Sequence, residues 1–121
     1  MKNKSLAQSF KNAFNGLCQA IVMERNMKIH TCVAIMAIVL GMLLKLDASR
    51  WLAVILVIGL VFVCEMINTA IETLTDMVTS EYSEQAKRVK DISAAAVLVS
   101  SFISVIIGIL VFVDPIINLI K

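Results

Sequence analysis

Three long apolar stretches dominate the chain, at positions 31–44, 51–64 and 92–113. The third contains no charged residue over its whole length and can cross a bilayer as a single helix. The first reaches a spanning length if it continues past Lys45, whose long side chain can extend to the headgroups. The second continues in a helical pattern to about position 76. The pattern therefore predicts three transmembrane helices, at about 29–46, 50–76 and 91–114.

The N-terminal segment has a different pattern, in which apolar residues recur every three or four positions and polar residues fall between them. The apolar positions are Leu6, Phe10, Ala13 or Phe14, Leu17 and Ile21. This spacing is typical of an amphipathic helix that lies in the membrane surface with its lysines toward the headgroups. We expect such a surface helix at about 4–22, serving either as an anchor or as the cover of a site. The whole chain, 1–121, then forms a single membrane domain.

The composition indicates that the solvent of this domain is lipid. The chain is 60% hydrophobic and 17% charged, with a mean hydropathy of +0.91. A soluble domain of this size is about half apolar and a quarter charged. These values argue against a soluble or disordered protein and against nucleic acid as a partner. Three cysteines and one proline also argue against a disulfide scaffold or a loop-rich fold.

The basic residues are distributed unevenly between the two sides of the predicted membrane domain. Eight of them precede the first transmembrane helix or lie between the second and the third, against three on the opposite side. The positive-inside rule places the N-terminus and the segment 76–91 in the cytoplasm. No secretory signal peptide is visible in the sequence. We therefore expect a multi-pass protein of the cell membrane whose long polar connection faces the cytoplasm.

A polar stripe interrupts the second predicted transmembrane helix. Spacings of three and four residues place its members on one helix face, and these are Glu65, Asn68, Thr69, Glu72 and Asp76. Carboxylates at membrane depth are costly, and they normally face a protein interior or a wet cavity that supplies a partner. Packing alone explains one buried glutamate, but a five-residue stripe that runs to the cytoplasmic boundary indicates function.

The spacing of the stripe suits phosphate chemistry. Glu65 and Glu72 are two helical turns apart, about 10 Å, so one carboxylate can act as a base while the other holds a cation. Mg²⁺ binds well to one or two carboxylates together with substrate phosphates. Glu24, just before the first transmembrane helix, can supply a second carboxylate, although its position alone also fits a solvated charge at the headgroups.

A basic cluster precedes the third apolar stretch and contains Lys87, Arg88 and Lys90, followed by Asp91. Lysine near a helix N-terminus suits a phosphate, but the positive-inside pattern alone accounts for the cluster better. Four scattered glycines exclude a glycine-rich phosphate loop. His30 lies near the start of the first transmembrane helix, where a structural hydrogen bond and a ligand role both remain open.

Four stretches of the chain resemble one known family. They are Phe10-Lys11-Asn12-Ala13-Phe14-Asn15-Gly16-Leu17, Glu24-Arg25-Asn26-Met27-Lys28-Ile29-His30, Glu65-Met66-Ile67-Asn68-Thr69-Ala70-Ile71-Glu72 and Ala86-Lys87-Arg88-Val89-Lys90-Asp91. Together they resemble the bacterial diacylglycerol kinase family of small integral-membrane lipid kinases. The resemblance covers nearly the whole chain, and the E-x-x-N-[ST]-A-I-E pattern with a downstream Lys-Asp is specific.

The resemblance implies an enzyme that moves the γ-phosphoryl group of ATP to a lipid hydroxyl at the membrane surface. It also implies a homotrimer of three-helix protomers with shared sites. By position, Glu65 matches the general base, and Glu24 and Glu72 match the ligands of Mg²⁺. Asn68 matches an asparagine of the site, with Asp76 beside it on the stripe. The implied ATP contacts are Glu72, Glu81, Tyr82, Ser83, Lys90 and Asp91.

The substrate follows less directly from the resemblance. The Glu-Arg-Asn-x-x-Ile-His pattern resembles the branch that phosphorylates undecaprenol, whereas the diacylglycerol branch tends to carry a carboxylate at the position of His30. Asn12 departs from the aromatic residue common at its position, so the resemblance does not carry an adenine-stacking role over to it. We favour undecaprenol, with diacylglycerol as the alternative. A small proton-coupled exporter is a candidate of a different class, but it predicts a lone acid without nucleotide contacts.

Overall fold

A computed structural model describes residues 5–121 as four α-helices joined by short connections. They are α1 (Leu6–Met23), α2 (Arg25–Leu43), α3 (Ala48–Val78) and α4 (Glu84–Ile120). The predicted start of the surface helix, near position 4, lies outside the described residues. The all-helical prediction is confirmed, and α2, α3 and α4 are long and apolar enough to cross a membrane.

Three of the helices begin at a side chain that caps their free N–H groups. Ser5 Oγ accepts from the Gln8 N–H at 3.2 Å, and Asp47 Oδ1 accepts from the Arg50 N–H at 2.9 Å. Ser83 Oγ accepts from the Ala86 N–H at 3.2 Å. The fourth helix, α2, follows α1 directly, because extended backbone at Glu24 alone separates them.

The cap at Ser83 changes one prediction. The helix α4 starts at Glu84, about two turns before its predicted start at position 91, because good helix formers follow the cap. Lys87 and Lys90 therefore lie within the first two turns of α4. The polar connection between α3 and α4 shrinks to residues 79–83.

The helix lengths determine which ends leave the membrane. With 31 and 37 residues, α3 and α4 are about 46 and 55 Å long, whereas the hydrocarbon core of a bilayer is about 30 Å thick. Both helices must therefore extend beyond the hydrocarbon. The end of α3 and the start of α4 meet at the polar connection and carry most of the charges of the two helices. The polar stripe thus runs from membrane depth to a projecting, charged end of the helix pair.

The helices pack most extensively between α3 and α4, while α2 packs on α3 and α1 packs on α2 and α3. A small core of Leu46, Val54 and Val111 lies at the end opposite the polar connection. Glycine is required at position 41, close to this core. A Cβ there would lie 2.9 Å from Trp51 Cη2, too close for van der Waals contact. Most large apolar side chains of α2, α3 and α4 are exposed, as a protein surrounded by lipid requires.

Arg50 closes a gap in the hydrogen bonds of α4. Pro115 has no N–H, so the carbonyl of Val111, four residues earlier, has no partner within the helix. Arg50 Nε donates to this buried carbonyl at 3.1 Å. The same guanidinium contacts Asp47 at 2.9 Å and Asp114 at 3.6 Å. Arg50 thereby holds the start of α3 against the end of α4.

We expect Arg50→Ala to lower the free energy of unfolding by about 1–3 kcal/mol, because it leaves the Val111 carbonyl buried without a donor. Thermal unfolding in detergent micelles, followed by circular dichroism, measures this change. Arg88→Ala is the matched control, since Arg88 is exposed and has no ion-pair partner among residues 5–121. Equal midpoints for the two variants would contradict the role given to Arg50.

Candidate active site

Glu65 is the most deeply buried acid of the described chain. Its side chain is 2% exposed, and Oε2 has no hydrogen-bond partner among residues 5–121. His30 Nε2 approaches Oε2 to 3.7 Å, which is beyond hydrogen-bond distance. A buried carboxylate without donors is strongly disfavoured unless its environment supplies a partner. An incoming hydroxyl group would satisfy this oxygen by donating its proton to it.

Asn68 connects the stripe on α3 to α4. Its Nδ2 donates to Glu72 Oε1 at 2.7 Å, and its Oδ1 accepts from Ser93 Oγ at 2.7 Å. Asn68 and Ser93 are both buried, whereas Glu72 is exposed and lies two helical turns closer than Glu65 to the polar connection. Sequence reasoning missed Ser93, although a serine three residues after Lys90, at the start of the third apolar stretch, was a usable signal.

Five of the six residues predicted to bind ATP line one cleft at the polar connection, of about 410 Å³. They are Glu81, Tyr82, Ser83, Lys90 and Asp91, and Asp76 lines the same cleft. The sixth, Glu72, does not line it. The Ser83 hydroxyl caps α4, so its oxygen already accepts one hydrogen bond. Tyr82 is exposed, so its ring is accessible from the cleft.

Two ion pairs hold the lysine side chains that line this cleft. Lys90 Nζ donates to Asp76 Oδ1 at 2.6 Å, and Lys87 Nζ donates to Asp91 Oδ2 at 2.6 Å. Lys90 precedes the apolar part of α4, and its hydrogen bond to Asp76 raises the pKa of its ammonium group above the ordinary value. The pair also joins the projecting end of α3 to the start of α4.

Glu24 lies in a different cleft of the same subunit. It is half-buried at the break between α1 and α2, where a cleft of about 480 Å³ opens toward α3. Thr69, predicted on the stripe, faces this cleft together with Thr73, whereas Glu72 does not line it. Among residues 5–121, no three His, Cys, Asp or Glu side chains lie close enough together to hold a metal ion.

An apolar cleft of about 370 Å³ separates parts of α2, α3 and α4 and has His30 among its lining residues. Val33 and Ala34 line it on α2, and Val61 lines it on α3. Because His30 also lies beside Glu65, the imidazole connects the apolar cleft with the buried carboxylate. The cleft therefore has one end, at His30, beside the buried carboxylate, although Glu65 itself does not line it.

Comparison with known proteins identifies the family to which the chain belongs. A sequence profile described as prokaryotic diacylglycerol kinase matches residues 11–112, most of the chain. The chain belongs to the prokaryotic diacylglycerol kinase family. It is therefore a lipid kinase, and its three apolar helices make it a multi-pass membrane protein. The resemblance drawn from the four sequence stretches is confirmed.

Individual members of the prokaryotic diacylglycerol kinase family agree with this result. The undecaprenol kinase of Bacillus subtilis is 38% identical over 87% of this chain and 85% of its own length. The diacylglycerol kinase of Synechocystis is 34% identical over 95% of this chain and 66% of its own length. The diacylglycerol kinase of Escherichia coli K12 is 33% identical over 78% of this chain and 77% of its own length.

Proposed function

We propose that the protein transfers the γ-phosphoryl group of ATP to undecaprenol and forms undecaprenyl phosphate. The observation that carries this proposal is the Glu65 carboxylate, which is 2% exposed and has Oε2 without a hydrogen-bond donor among residues 5–121. A base in this position can be reached by a hydroxyl group on an otherwise apolar molecule. ATP, in contrast, suits the polar cleft that Lys90 and Asp91 line.

Two observations favour undecaprenol over diacylglycerol as the acceptor. The identity to the undecaprenol kinase is 38%, against 33–34% for the diacylglycerol kinases named above. The Glu24–His30 stretch resembles the undecaprenol branch, and His30 is the residue that approaches Glu65. Diacylglycerol, which would give phosphatidic acid, is the alternative because several relatives are diacylglycerol kinases.

The chemistry assigned to the chain is a direct displacement. Glu65 takes the proton of the lipid hydroxyl, the alcohol oxygen bonds to the γ-phosphorus, and the bond from that phosphorus to the β–γ bridging oxygen breaks, so ADP leaves. Phosphoryl transfer of this kind depends on positioning and charge neutralisation and needs no phosphoenzyme. Lys90 and Asp91 position the nucleotide with Glu81, Tyr82 and Ser83, and Asn68 holds the Glu72 carboxylate.

The available donors suit Mg²⁺. Glu72 is exposed and uses Oε1 for the Asn68 amide, which leaves Oε2 outside that hydrogen bond, and Glu24 is half-buried at its own cleft. Mg²⁺ takes one or two carboxylates, completing its shell with phosphate oxygens and water, so a cluster of three acids is not required. When bound, Mg²⁺ would neutralise the charge of the ATP phosphates.

We extend the proposal to a homotrimer whose sites are shared between subunits and face the cytoplasm. Within one subunit, Glu24 lines a cleft that Glu72 does not line, so a shared site can combine carboxylates of neighbouring chains. The exposed apolar sides of α2 and α4 offer surface for such contacts. α1 would lie in the membrane surface with Lys11 toward the headgroups. The cytoplasmic orientation, with the N-terminus on that side, is supported by the eight-to-three distribution of basic residues.

The proposed function is tested with the purified full chain in detergent micelles that contain undecaprenol. With γ-labelled ATP and Mg²⁺, we expect the label in undecaprenyl phosphate, identified by chromatography and mass spectrometry. Reactions without lipid, or with EDTA, should give no labelled lipid. Absence of undecaprenyl phosphate from the complete reaction would overturn the proposal.

His30→Glu is expected to shift the acceptor preference from undecaprenol toward diacylglycerol. The substitution puts a second carboxylate beside Glu65 and replaces the imidazole at the end of the apolar cleft. A change of one polar contact alters discrimination by about fivefold to tenfold. The measurement is the ratio of kcat/KM for the two lipids. His30→Gln, which adds no charge, is the control, and an unchanged ratio in H30E would contradict a role of His30 in acceptor choice.

A further inference from the structure

Ser93 is a residue of α4 that contacts the buried part of the polar stripe. Its Oγ is 2.7 Å from Asn68 Oδ1 and 3.0 Å from the carbonyl oxygen of Lys90. Ser93 and Asn68 are 7% and 5% exposed, so water does not readily replace either partner. A hydroxyl has only one proton to donate, so the two acceptors compete for it.

The orientation of Asn68 decides where this proton is needed. The Glu72 carboxylate only accepts hydrogen bonds, so the NH₂ group of Asn68 must face Glu72 and the Asn68 carbonyl oxygen must face Ser93. If the amide turned over, its oxygen would face the carboxylate and repel it. Donation from Ser93 to Asn68 Oδ1 satisfies a buried acceptor and opposes that rotation.

We infer that Ser93 is a positioning residue for the kinase reaction, which acts through Asn68 to hold the Glu72 carboxylate in place for its cation. This inference rests on the proposed role of Glu72. The hydrogen-bonded chain runs from Ser93 on α4 through Asn68 to Glu72 on α3, and both of its links are 2.7 Å long. Groups that orient a metal ligand from outside affect metal affinity, although they do not touch the metal.

Helix α4 contains a matched control for this inference. Ser100 is 2% exposed, and its hydroxyl donates to the carbonyl of Val97, three residues earlier, at 2.9 Å. It therefore repeats the burial of Ser93 and its bond to a backbone carbonyl, but it makes no hydrogen bond to α3 among the described residues. Ser93→Ala and Ser100→Ala thus remove equal groups from one helix and differ in the contact with Asn68.

The test measures the free Mg²⁺ concentration that gives half-maximal lipid phosphorylation at saturating ATP. The affinity for Mn²⁺ is measured in parallel by electron paramagnetic resonance, with a non-hydrolysable ATP analogue and no turnover, and it should change in the same way. We expect Ser93→Ala to raise this concentration about fivefold to tenfold, the effect of losing one buried hydrogen bond, with an unchanged KM for the lipid. Ser100→Ala should titrate as the wild type, and Ser93→Thr, which keeps the hydroxyl, should restore the wild-type value. In an Asn68→Ala background, Ser93→Ala should have no further effect.

Three results would overturn the inference: equal Mg²⁺ titrations for S93A and S100A, no rescue by S93T, or an additive effect of S93A on N68A. Glu72→Gln is run in parallel. If E72Q requires no more Mg²⁺ than the wild type, the proposed cation role of Glu72 fails, and that result is read independently of Ser93. If S93A is not recovered folded, Ser93→Cys, with a weaker donor, replaces it with the same expected rise.

Discussion

Glu65→Gln is expected to reduce lipid-dependent ATP consumption by about 100-fold or more while the protein remains folded. A general base contributes about 10²–10⁴-fold to a proton-transfer step, and an amide cannot accept the proton of the lipid hydroxyl. Glu65 is buried without a hydrogen-bond donor to Oε2, so its charge is costly to the folded state. The neutral amide should therefore leave the unfolding midpoint unchanged or raise it.

The measurement compares ATP turnover and thermal unfolding for wild type and E65Q in the same micelles. Glu84→Gln is the matched control, because Glu84 is exposed in the first turn of α4 and lies outside the three clefts. It should keep full activity. Turnover by E65Q within tenfold of the wild type would remove Glu65 from the role of base, whatever the stability of the variant.

Glu72→Gln and Glu24→Gln are each expected to raise the Mg²⁺ requirement by about tenfold or more. Each change removes a carboxylate from the proposed cation site, and loss of an outer partner of a metal ligand already costs about 10–100-fold in affinity. Lipid phosphorylation as a function of free Mg²⁺, at saturating ATP, measures the effect. E84Q is again the control.

The two glutamates also give a test of shared sites. If Glu24 and Glu72 of neighbouring subunits hold one cation, E24Q and E72Q chains can be mixed in one oligomer at a Mg²⁺ concentration too low for either variant alone. Part of the activity should then return, because some sites keep both carboxylates. Mixtures that remain inactive would favour a site built within one subunit. Unchanged Mg²⁺ titrations for both single variants would remove both residues from the cation site.

The polar stripe shows how far the sequence alone could lead. Its spacing placed Glu65 and Glu72 on one helix face, and the burial of Glu65 follows from apolar residues that surround it in the chain. Helical periodicity within one element is local, so it can be read without a fold. The family resemblance assigned roles that spacing left open, above all for Glu24 and for the pair Lys90 and Asp91.

Contacts between helices could not be read in the same way. The bond from Ser93 to Asn68 and the approach of His30 to Glu65 depend on the rotation and shift of one helix against another. The early start of α4 depends on the cap at Ser83. The polar residues that follow Ser83 resemble a loop in the sequence, so the cap could not be recognised there. Thr69 and Glu72 were predicted on the same face of one helix, but only Thr69 lines the cleft that contains Glu24. Residues on one helix face can point into different clefts, because the face is wider than one cleft.

The central claim, that undecaprenol is the preferred acceptor, is tested most directly by competition. The full chain is given undecaprenol and diacylglycerol at equal mole fraction in the same micelles, with γ-labelled ATP and Mg²⁺, and initial rates of both labelled products are measured. Their ratio equals the ratio of the two kcat/KM values. The account predicts that undecaprenyl phosphate exceeds phosphatidic acid by about tenfold or more. An excess of phosphatidic acid would contradict it.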